Sequence, residues 1–310
     1  TTFSGADNNG KTLKYADSDF VDVYLNGICL VPVTDYTSTS KTSVVLTQAA
    51  SLNDTLEVIA YDIATIADTV SKADGGTFEA NVTFADGADI LTASKGTDNV
   101  RLGENAGAAI ASGGNNNVAI GKNALASNTT ADNSTAVGFE AGTNSTGAQN
   151  TFFGRQSGKG VTSGTESVFV GNGAGRDGTQ TGDYNIGIGS VSLNALTSGH
   201  SNTAIGRDAL GANTTASNNT AVGYQAGSTL STGGANVFIG QAAGLNTIGT
   251  NNTFLGVNSG DLVTSGNKNT ILGRFNGNQS GHDIRTSDNQ IVLSDGDGNP
   301  RFMFHSFWQT

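Results

Sequence analysis

Three oxygen-bearing side chains near the end of the chain could bind a metal ion. Asp295, Asp297 and Asn299 are spaced like the first ligands of a calcium-binding loop, which supplies side-chain oxygens at alternate positions. Such a loop also needs glycine at its sixth position and glutamate at its twelfth. These positions are Pro300 and Ser306, so no calcium site is predicted and a tight turn explains the same residues.

The spacing of the other polar residues gives little support for a catalytic site. His200, His282 and His305 are scattered, and no Gly-x-Ser-x-Gly motif holds a nucleophile. Glycoside cleavage uses two carboxylates on either side of one bond, whereas the acids of the central region are isolated from one another. The sequence therefore predicts no catalytic, cofactor-binding or metal-binding residues and a protein that is not an enzyme. The isolated acids are Glu140, Glu166, Asp177 and Asp183.

Composition and charge exclude several classes of partner. The 310 residues include 44 glycines, 2 prolines and 13% charged residues, which favours short strands and tight turns. A net charge of -11 would repel a nucleic-acid backbone, so no nucleic acid is expected as a partner. Cys29 is alone and cannot form an intramolecular disulfide. Because no apolar run approaches about 20 residues, membrane insertion is not expected.

A short phrase recurs along the middle of the chain. Its form is Asn-x-apolar-apolar-Gly, as in Asn202-Thr-Ala-Ile-Gly206, and Ser replaces Asn in Ser167-Val-Phe-Val-Gly171. A short element of small residues follows each glycine, as in Tyr224-Gln-Ala-Gly227. Successive copies are 16 to 18 residues apart. Eleven copies end at Gly103, Gly121, Gly138, Gly154, Gly171, Gly189, Gly206, Gly223, Gly240, Gly256 and Gly273.

The period of this repeat selects one architecture. Three or four apolar residues per copy cannot form a core, so each copy must stack on its neighbours. Helical repeats need about 33 to 47 residues, so we expect short strands, with two strands and two turns in each coil of a parallel β-solenoid or β-roll. The glycine would provide a backbone angle or a close approach that a Cβ forbids, and stacked Asn side chains would form a ladder. At about 4.8 Å per coil, the shaft would extend roughly 48 Å.

The phrases Asn202–Gly206 and Asn219–Gly223, each followed by small residues, resemble the head repeats of trimeric autotransporter adhesins and similar arrays in bacteriophage tail fibres. The resemblance covers residues 99–277. It implies a left-handed parallel β-roll packed as a homotrimer. Because the repeats of those heads are somewhat shorter, an interleaved three-chain β-helix is the alternative arrangement.

Residues 1–62 have a different pattern. Apolar residues alternate with polar ones on both sides of Asn26-Gly27, which predicts a β-hairpin, and a second alternating stretch surrounds Asn53-Asp54. We therefore expect a small antiparallel β domain. This stretch resembles β modules that precede the shaft in phage tail fibres, including those of cyanobacterial phages. The resemblance implies attachment to the tail or to another fibre protein.

Residues 63–98 are expected to join this module to the shaft. Ile63, Ile66 and Val70 are three and four residues apart, which fits a short helical seam that would align three chains. A plain linker with incidental apolar residues explains them equally well. Residues 74–90 are expected to form a hairpin at the transition to the shaft.

Residues 278–310 follow the repeats as a separate terminal segment. Ile291 to Leu293 and Phe302 to Phe304 flank a turn, which predicts a terminal hairpin. Because a solenoid must cover its last coil, aromatic residues here would cap that coil or seal the end of a trimer, with receptor contact as the alternative. The residues concerned are Phe302, Phe304, Phe307 and Trp308.

These patterns lead to one functional prediction and two alternatives. We expect a structural virion protein: a homotrimeric phage tail fibre that attaches through its N-terminal module and carries a rigid shaft towards a glycan or protein of the host surface. The first alternative is a polysaccharide-degrading tail spike. The second is a segment of a bacterial surface adhesin, which is less favoured because no secretory leader or membrane anchor is seen in the sequence.

Overall fold

A computed structural model describes residues 1–4, 12–15, 21–60 and 96–304. The chain divides into two compact units, Thr1–Ala88 and Asp89–Thr310. All regular secondary structure of the described residues is β-strand, which confirms the predicted all-β class. The predicted seam at Ile63, Ile66 and Val70 and the expected hairpin at residues 74–90 lie outside the described residues.

The described residues of the N-terminal unit form two antiparallel sheets of three strands each. The strand order is β1-β5-β4 in one sheet and β3-β2-β6 in the other. The predicted hairpin at Asn26-Gly27 is confirmed, because β2 and β3 pair across it and both turn residues have the positive φ angles of a tight hairpin turn, 55° and 79°. The strands are β1 (Thr2–Ser4), β2 (Val21–Leu25), β3 (Ile28–Cys29), β4 (Tyr36–Thr37), β5 (Ser43–Leu46) and β6 (Leu56–Ala60).

The second alternating stretch of this unit does not form a local hairpin. Its two strands, β5 and β6, lie in different sheets: β5 pairs with β1 and β4, and β6 pairs with β2. The alternating apolar residues of β5 and β6 therefore lie on two different sheets and pack on one shared core. At its centre Tyr36 is buried, and its hydroxyl donates to the carbonyl oxygen of Val21 at 2.7 Å.

The second unit is a solenoid of short parallel strands in register. Each strand pairs with the strand of the next coil, which confirms the predicted β-solenoid. The strands are β7 (Val100–Leu102), β8 (Val118–Ile120), β9 (Thr135–Val137), β10 (Thr151–Phe153), β11 (Val168–Val170), β12 (Ile186–Ile188), β13 (Thr203–Ile205), β14 (Thr220–Val222), β15 (Val237–Ile239), β16 (Thr253–Leu255) and β17 (Thr270–Leu272).

The solenoid continues for one coil beyond the last repeat glycine. After a two-stranded insertion, β18 (Asn278–Gln279) and β19 (His282–Asp283), the strand β20 (Ile291–Ser294) pairs in parallel with β17. The antiparallel strand β21 (Pro300–Phe304) then covers the edge of β20. The terminal hairpin is therefore β20 and β21, and its first strand is also the last strand of the shaft.

Each coil contains one strand, so the expectation of two strands per coil is wrong. The element after each glycine is a turn in which left-handed residues alternate with others, for example Asn123 (φ 59°) and Leu125 (φ 47°). The N–H of Asn123 donates back to Glu104 of the preceding coil, and that of Leu125 donates forward to Ala141 of the next coil. Hydrogen bonds between coils thus continue through a segment that is not extended.

In each coil two facing positions share the space of the solenoid core. The middle residue of each strand points inwards, and the residue six positions later faces it from the turn. Phe169 stands opposite Gly175, where an added Cβ would lie 2.7 Å from the phenyl ring. Ala204 is instead followed by the buried Leu210. A large residue at one position requires a small one at the other, because protein interiors are closely packed.

Candidate functional site

The repeat glycines form a column in which neighbouring coils are in backbone contact. All eleven have φ angles between 110° and 141°, a region that strongly favours glycine. A Cβ on Gly138 would lie 2.5 Å from the carbonyl oxygen of Gly154, and one on Gly154 would lie 2.7 Å from that of Gly171. The spacing between coils thus leaves no room for a side chain at this column.

The buried asparagines form a ladder that runs through the solenoid. Asn202 Oδ1 accepts the backbone N–H of Asn219 at 3.1 Å, and Asn219 Oδ1 accepts that of Asn236 at 2.9 Å. Asn219 Nδ2 donates to the carbonyl oxygen of Gly233 at 3.1 Å. The buried members of the ladder are Asn99, Asn117, Ser134, Asn150, Ser167, Asn185, Asn202, Asn219, Asn236, Asn252, Asn269 and Gln290.

The outward face of the long sheet is a candidate interaction surface. In each strand of the solenoid the middle residue is turned inwards and the first and third residues outwards, and the outward ones at β7–β17 and β20 are almost all apolar or Thr. Leu102 is 65% exposed and Phe153 is 56% exposed. The outward third residues, here called the apolar column, are Leu102, Ile120, Val137, Phe153, Val170, Ile188, Ile205, Val222, Ile239, Leu255, Leu272 and Leu293.

This face is long for an uncovered apolar surface. Twelve parallel strands remain when antiparallel β21 is set aside from the 13-stranded sheet, and at about 4.8 Å per interval they span roughly 53 Å. Three residues per strand at about 3.3 Å make the face about 10 Å wide. Monomeric soluble proteins rarely expose apolar patches larger than a few hundred Å². A surface of this size typically marks contact with another macromolecule.

Cations and aromatic rings stack beside the apolar column, in the position directly after the repeat glycine. The guanidinium of Arg155 lies 5.8 Å from the ring centre of Phe139, and that of Arg207 lies 5.5 Å from the ring centre of Tyr224. Both distances are within the range of a cation–π contact. Arg, Tyr and Phe are enriched in protein interfaces, so these pairs extend the candidate surface sideways.

The terminal hairpin places two of the four predicted tip or cap residues. Phe302 and Phe304 on β21 are 49% and 54% exposed, and their ring centres are 4.4 Å apart in an edge-to-face contact. Met303 between them packs against the solenoid core, so β21 covers both the edge and part of the interior. Phe307 and Trp308 lie outside the described residues.

The turn of this hairpin uses its polar side chains internally. Asp295 accepts the backbone N–H of Asn299 at 2.9 Å and the guanidinium of Arg301, also at 2.9 Å from Nε. The backbone hydrogen bond from Asn299 is the main cause that lowers the pKa of Asp295. Within the described ranges, no group of three or more His, Cys, Asp or Glu side chains is placed to hold a metal ion.

Three of the four isolated acids of the shaft have local partners. Glu140 accepts the Lys159 ammonium at 2.6 Å, and this bond lowers the pKa of Glu140. Asp177 pairs with Arg176 at 2.6 Å, and its pKa is lowered by that bond. Asp183 accepts the backbone N–H of Thr165 at 2.7 Å, while Glu166 occupies a left-handed turn position. The Glu140 and Asp183 carboxylates thus connect neighbouring coils, and the lowered pKa values of Glu140 and Asp177 keep these two carboxyls ionised at neutral pH.

A polar cavity of about 270 Å³ lies near the end of the solenoid, where the β18–β19 insertion interrupts the repeat. Burial raises the pKa of its Asp261 carboxyl, against smaller opposing effects of the backbone N–H groups of Leu262 and Asp261 and of the Arg274 charge. Asp261 Oδ1 is buried and has no hydrogen-bond partner in the described part of the chain. No pattern in the repeat indicated this cavity. The lining residues are Asn258, Asp261, Arg274, Asn276, Gln279 and Asp297.

Comparison with known proteins leaves the repeat itself as the main guide to function. No protein-family model, curated protein or solved structure matches this chain. In the residues that the structure describes, no helix is long and apolar enough to cross a membrane. The surfaces of the two units therefore carry the remaining information about function.

Proposed function

We propose that this chain forms the shaft and attachment module of a homotrimeric virion fibre, a phage tail fibre. The observation that carries the proposal is the apolar column, which follows the sheet through all its parallel strands. A single chain in water would leave these side chains exposed, and association of three copies would bury them at about 25 cal/mol per Å². The tandem coils supply the length and stiffness that a fibre needs.

The two ends of the chain would then have separate tasks. The N-terminal unit would attach to the tail or to another fibre protein, and the solenoid would hold the C-terminal hairpin towards the host. Exposed Phe302 and Phe304 suit either a seal between chains or contact with a host glycan or protein. A particle that carries this chain should adsorb less well to its host in the presence of the purified chain.

The oligomeric state tests the proposal directly. Light scattering should give a mass of about 94 kDa, three times the 31.3 kDa of one chain. The double variant Ile205→Lys and Ile239→Lys should reduce this to one chain, because it places six charges in the buried face of a trimer. A matched control, Thr215→Lys and Thr232→Lys, adds the same charge in exposed bends outside the sheet and should stay trimeric.

Both outcomes of this measurement are decisive. Circular dichroism must show that the variant solenoid remains folded, so that loss of mass reports the interface alone. A wild-type chain that stays monomeric at tens of micromolar would overturn the fibre proposal. A threefold rod in electron micrographs of the wild type would support it.

A polysaccharide-degrading spike is the second candidate, favoured by the polar cavity at the end of the solenoid. Asp261, whose pKa is raised, could donate a proton to a glycosidic oxygen while Asp297 of the same cavity served as the second carboxylate. This activity would release reducing ends from host polysaccharide. Asp261→Asn should abolish the release, while Asp283→Asn on the exposed β19 strand should leave it unchanged.

A further inference from the structure

The N-terminal unit contains an open groove between its two sheets. A cavity of about 870 Å³ is lined along its sides by strands β1 and β6. Strand β1 ends one sheet and β6 ends the other, and no further strand pairs with either edge in the described residues. The groove therefore separates two sheet edges with which no other described strand pairs.

The register shows which backbone groups of β6 face the groove. Asn26 N–H donates to the carbonyl oxygen of Thr55 at 2.8 Å, and β6 pairs with β2 through residue partners in the same register. Because hydrogen bonding alternates along an antiparallel pair, Glu57 and Ile59 bond to β2. The N–H and C=O groups of Leu56, Val58 and Ala60 consequently point away from β2, towards the open edge.

The same reasoning applies to β1. Leu46 N–H donates to the carbonyl oxygen of Thr1 at 2.9 Å, and Phe3 is the register partner of Val44. Thr1 and Phe3 therefore bond to β5, while the backbone groups of Thr2 and Ser4 point to the other side. Each edge thus offers alternate donors and acceptors to an incoming chain.

The floor of the groove is the uncovered side of the core. The core of this unit includes Val23, Tyr36 and Val44, and a partly buried apolar rim packs against it. Six members of that rim line the groove, so the core reaches water there. The six are Phe3, Leu13, Ala50, Leu56, Val58 and Ala60.

We propose that this groove binds an extended segment of a partner protein by strand addition. An added strand would satisfy the free edge of β6 with its backbone and cover the apolar floor with alternate side chains, whereas a helix or a small apolar molecule would do only the second. The five residues of β6 span about 16 Å, which fits a strand of usual length.

The charged residues that line the groove indicate what kind of segment it could bind. Lys14 and Asp54 are the charged residues in the described lining, and their charges offset each other. Asp54 is already held by the side chain of Asn26 at 2.8 Å and the backbone of Ser51 at 2.6 Å. The groove therefore suits an uncharged segment of alternating apolar and hydroxyl residues. The assignment rests on the proposed function only in treating the N-terminal unit as the attachment module.

Amide hydrogen exchange on the full chain, resolved to single residues, tests the groove directly. In the free chain the amides of Val58 and Ala60 should exchange quickly, while those of Glu57 and Ile59 should be protected by β2. The acetylated hexapeptide Thr-Val-Thr-Val-Thr-Val should slow exchange at Val58 and Ala60. The matched peptide Thr-Pro-Thr-Pro-Thr-Val lacks the needed donors and should not.

Two neighbouring positions on β6 provide a matched pair of variants. Val58→Lys places a charge on the groove floor and should weaken peptide binding at least about tenfold, whereas Ile59→Lys on the opposite face, which is 37% exposed, should change it less than about twofold. If Val58→Lys unfolds the unit, Thr2→Pro serves instead, because it removes a free donor from β1 and leaves the bonds to β5.

Each contrary outcome overturns the groove proposal in a recognisable way. Protection of Val58 and Ala60 in the free chain at all concentrations would mean that this chain's own residues fill the groove. Protection that rises with concentration would mean that a second copy fills it. Peptides that never protect these amides would exclude strand addition. The mass of the same sample tests the trimer separately. A monomer that binds the peptide would support the groove proposal and contradict the fibre proposal.

Discussion

The N-terminal unit and the solenoid are both built from strands, but they place opposite demands on the chain. In the N-terminal unit the strands pair with different partners, and no described strand pairs with the outer edges of β1 and β6. In the solenoid each coil meets a near copy of itself, so backbone groups stack directly and their contacts recur at fixed positions. Repetition therefore fixes residue types at individual positions, whereas the N-terminal unit fixes only an alternation of apolar and polar residues.

Glycine shows the difference most sharply. Gly138 in the solenoid and Gly27 in the β2–β3 turn both have positive φ angles, 138° and 79°. An added Cβ at Gly138 meets the backbone of Gly154 at 2.5 Å, whereas at Gly27 it meets nothing within 4 Å. Gly138→Ala should thus destabilise the solenoid by about 5 kcal/mol or more, and Gly27→Ala the N-terminal unit by about 1 kcal/mol.

Denaturant unfolding followed by segment-resolved hydrogen exchange separates the two units and measures both effects. Gly113→Ala is a useful further control, because it lies in the solenoid with a φ of 109° and has its nearest neighbour atom at 4.0 Å. If Gly113→Ala costs as much as Gly138→Ala, backbone strain and not contact between coils explains the glycine column.

Substitutions at the two facing core positions of a coil should have the next largest effect on the stability of the solenoid. Phe238→Ala should cost about 4 kcal/mol, because it empties a fully buried site next to Gly227 and Gly244. Adding Gly244→Leu should recover at least about 1 kcal/mol, since it recreates the arrangement of Ala204 and Leu210 found two coils earlier. A double variant that is less stable than Phe238→Ala alone would show that the two positions do not trade volume.

The fold of the solenoid is easier to predict from the sequence than the fold of the N-terminal unit, for physical reasons. The solenoid and its register were predictable because one phrase specifies both the inward side chain and the backbone contact. The last coil was missed because Gln290 and Ser294 replace the usual Asn and Gly after a longer insertion. The turn element was predicted as a strand, since residue type does not reveal the left-handed φ angles of Val191 and Leu193.

The N-terminal pairing was less accessible from the sequence. Alternation located β5 and β6, but β5 also pairs with β1 and β6 pairs with β2, and both of these partners are distant in the sequence. The open groove and the polar cavity depend on where strands end in space. Neither has a periodic pattern, so neither candidate site was predicted.

The asparagine ladder should respond more moderately than the core. Asn219→Leu leaves the N–H of Asn236 and the carbonyl oxygen of Gly233 without these side-chain partners, at a cost of about 2–3 kcal/mol. Asn219→Ser should cost less, because Ser134 and Ser167 already serve in the ladder. Exposed Asn172→Leu should change stability by less than about 0.5 kcal/mol. If thermal unfolding shows the same stability for all three variants, the ladder contributes no more to stability than an exposed asparagine does.

The smallest effect contrasts one carboxyl from each unit. Burial raises the pKa of Asp261 above 3.8, so the native state binds its proton more tightly than the unfolded state does, and this contribution is lost as pH rises through the native pKa. Asp261→Asn should therefore stabilise the solenoid by a few tenths of a kcal/mol at pH 7, with the difference vanishing below about pH 3.8.

The pKa of Asp54 in the N-terminal unit is shifted in the opposite direction, because the hydrogen bond from Asn26 lowers it. Its contribution is present above pH 3.8 and is lost as pH falls through the native pKa, so Asp54→Asn should weaken that unit at pH 7. Stability curves against pH for the two variants should diverge from the wild type in opposite directions, and parallel curves would show that neither carboxyl is coupled to the folding of its unit.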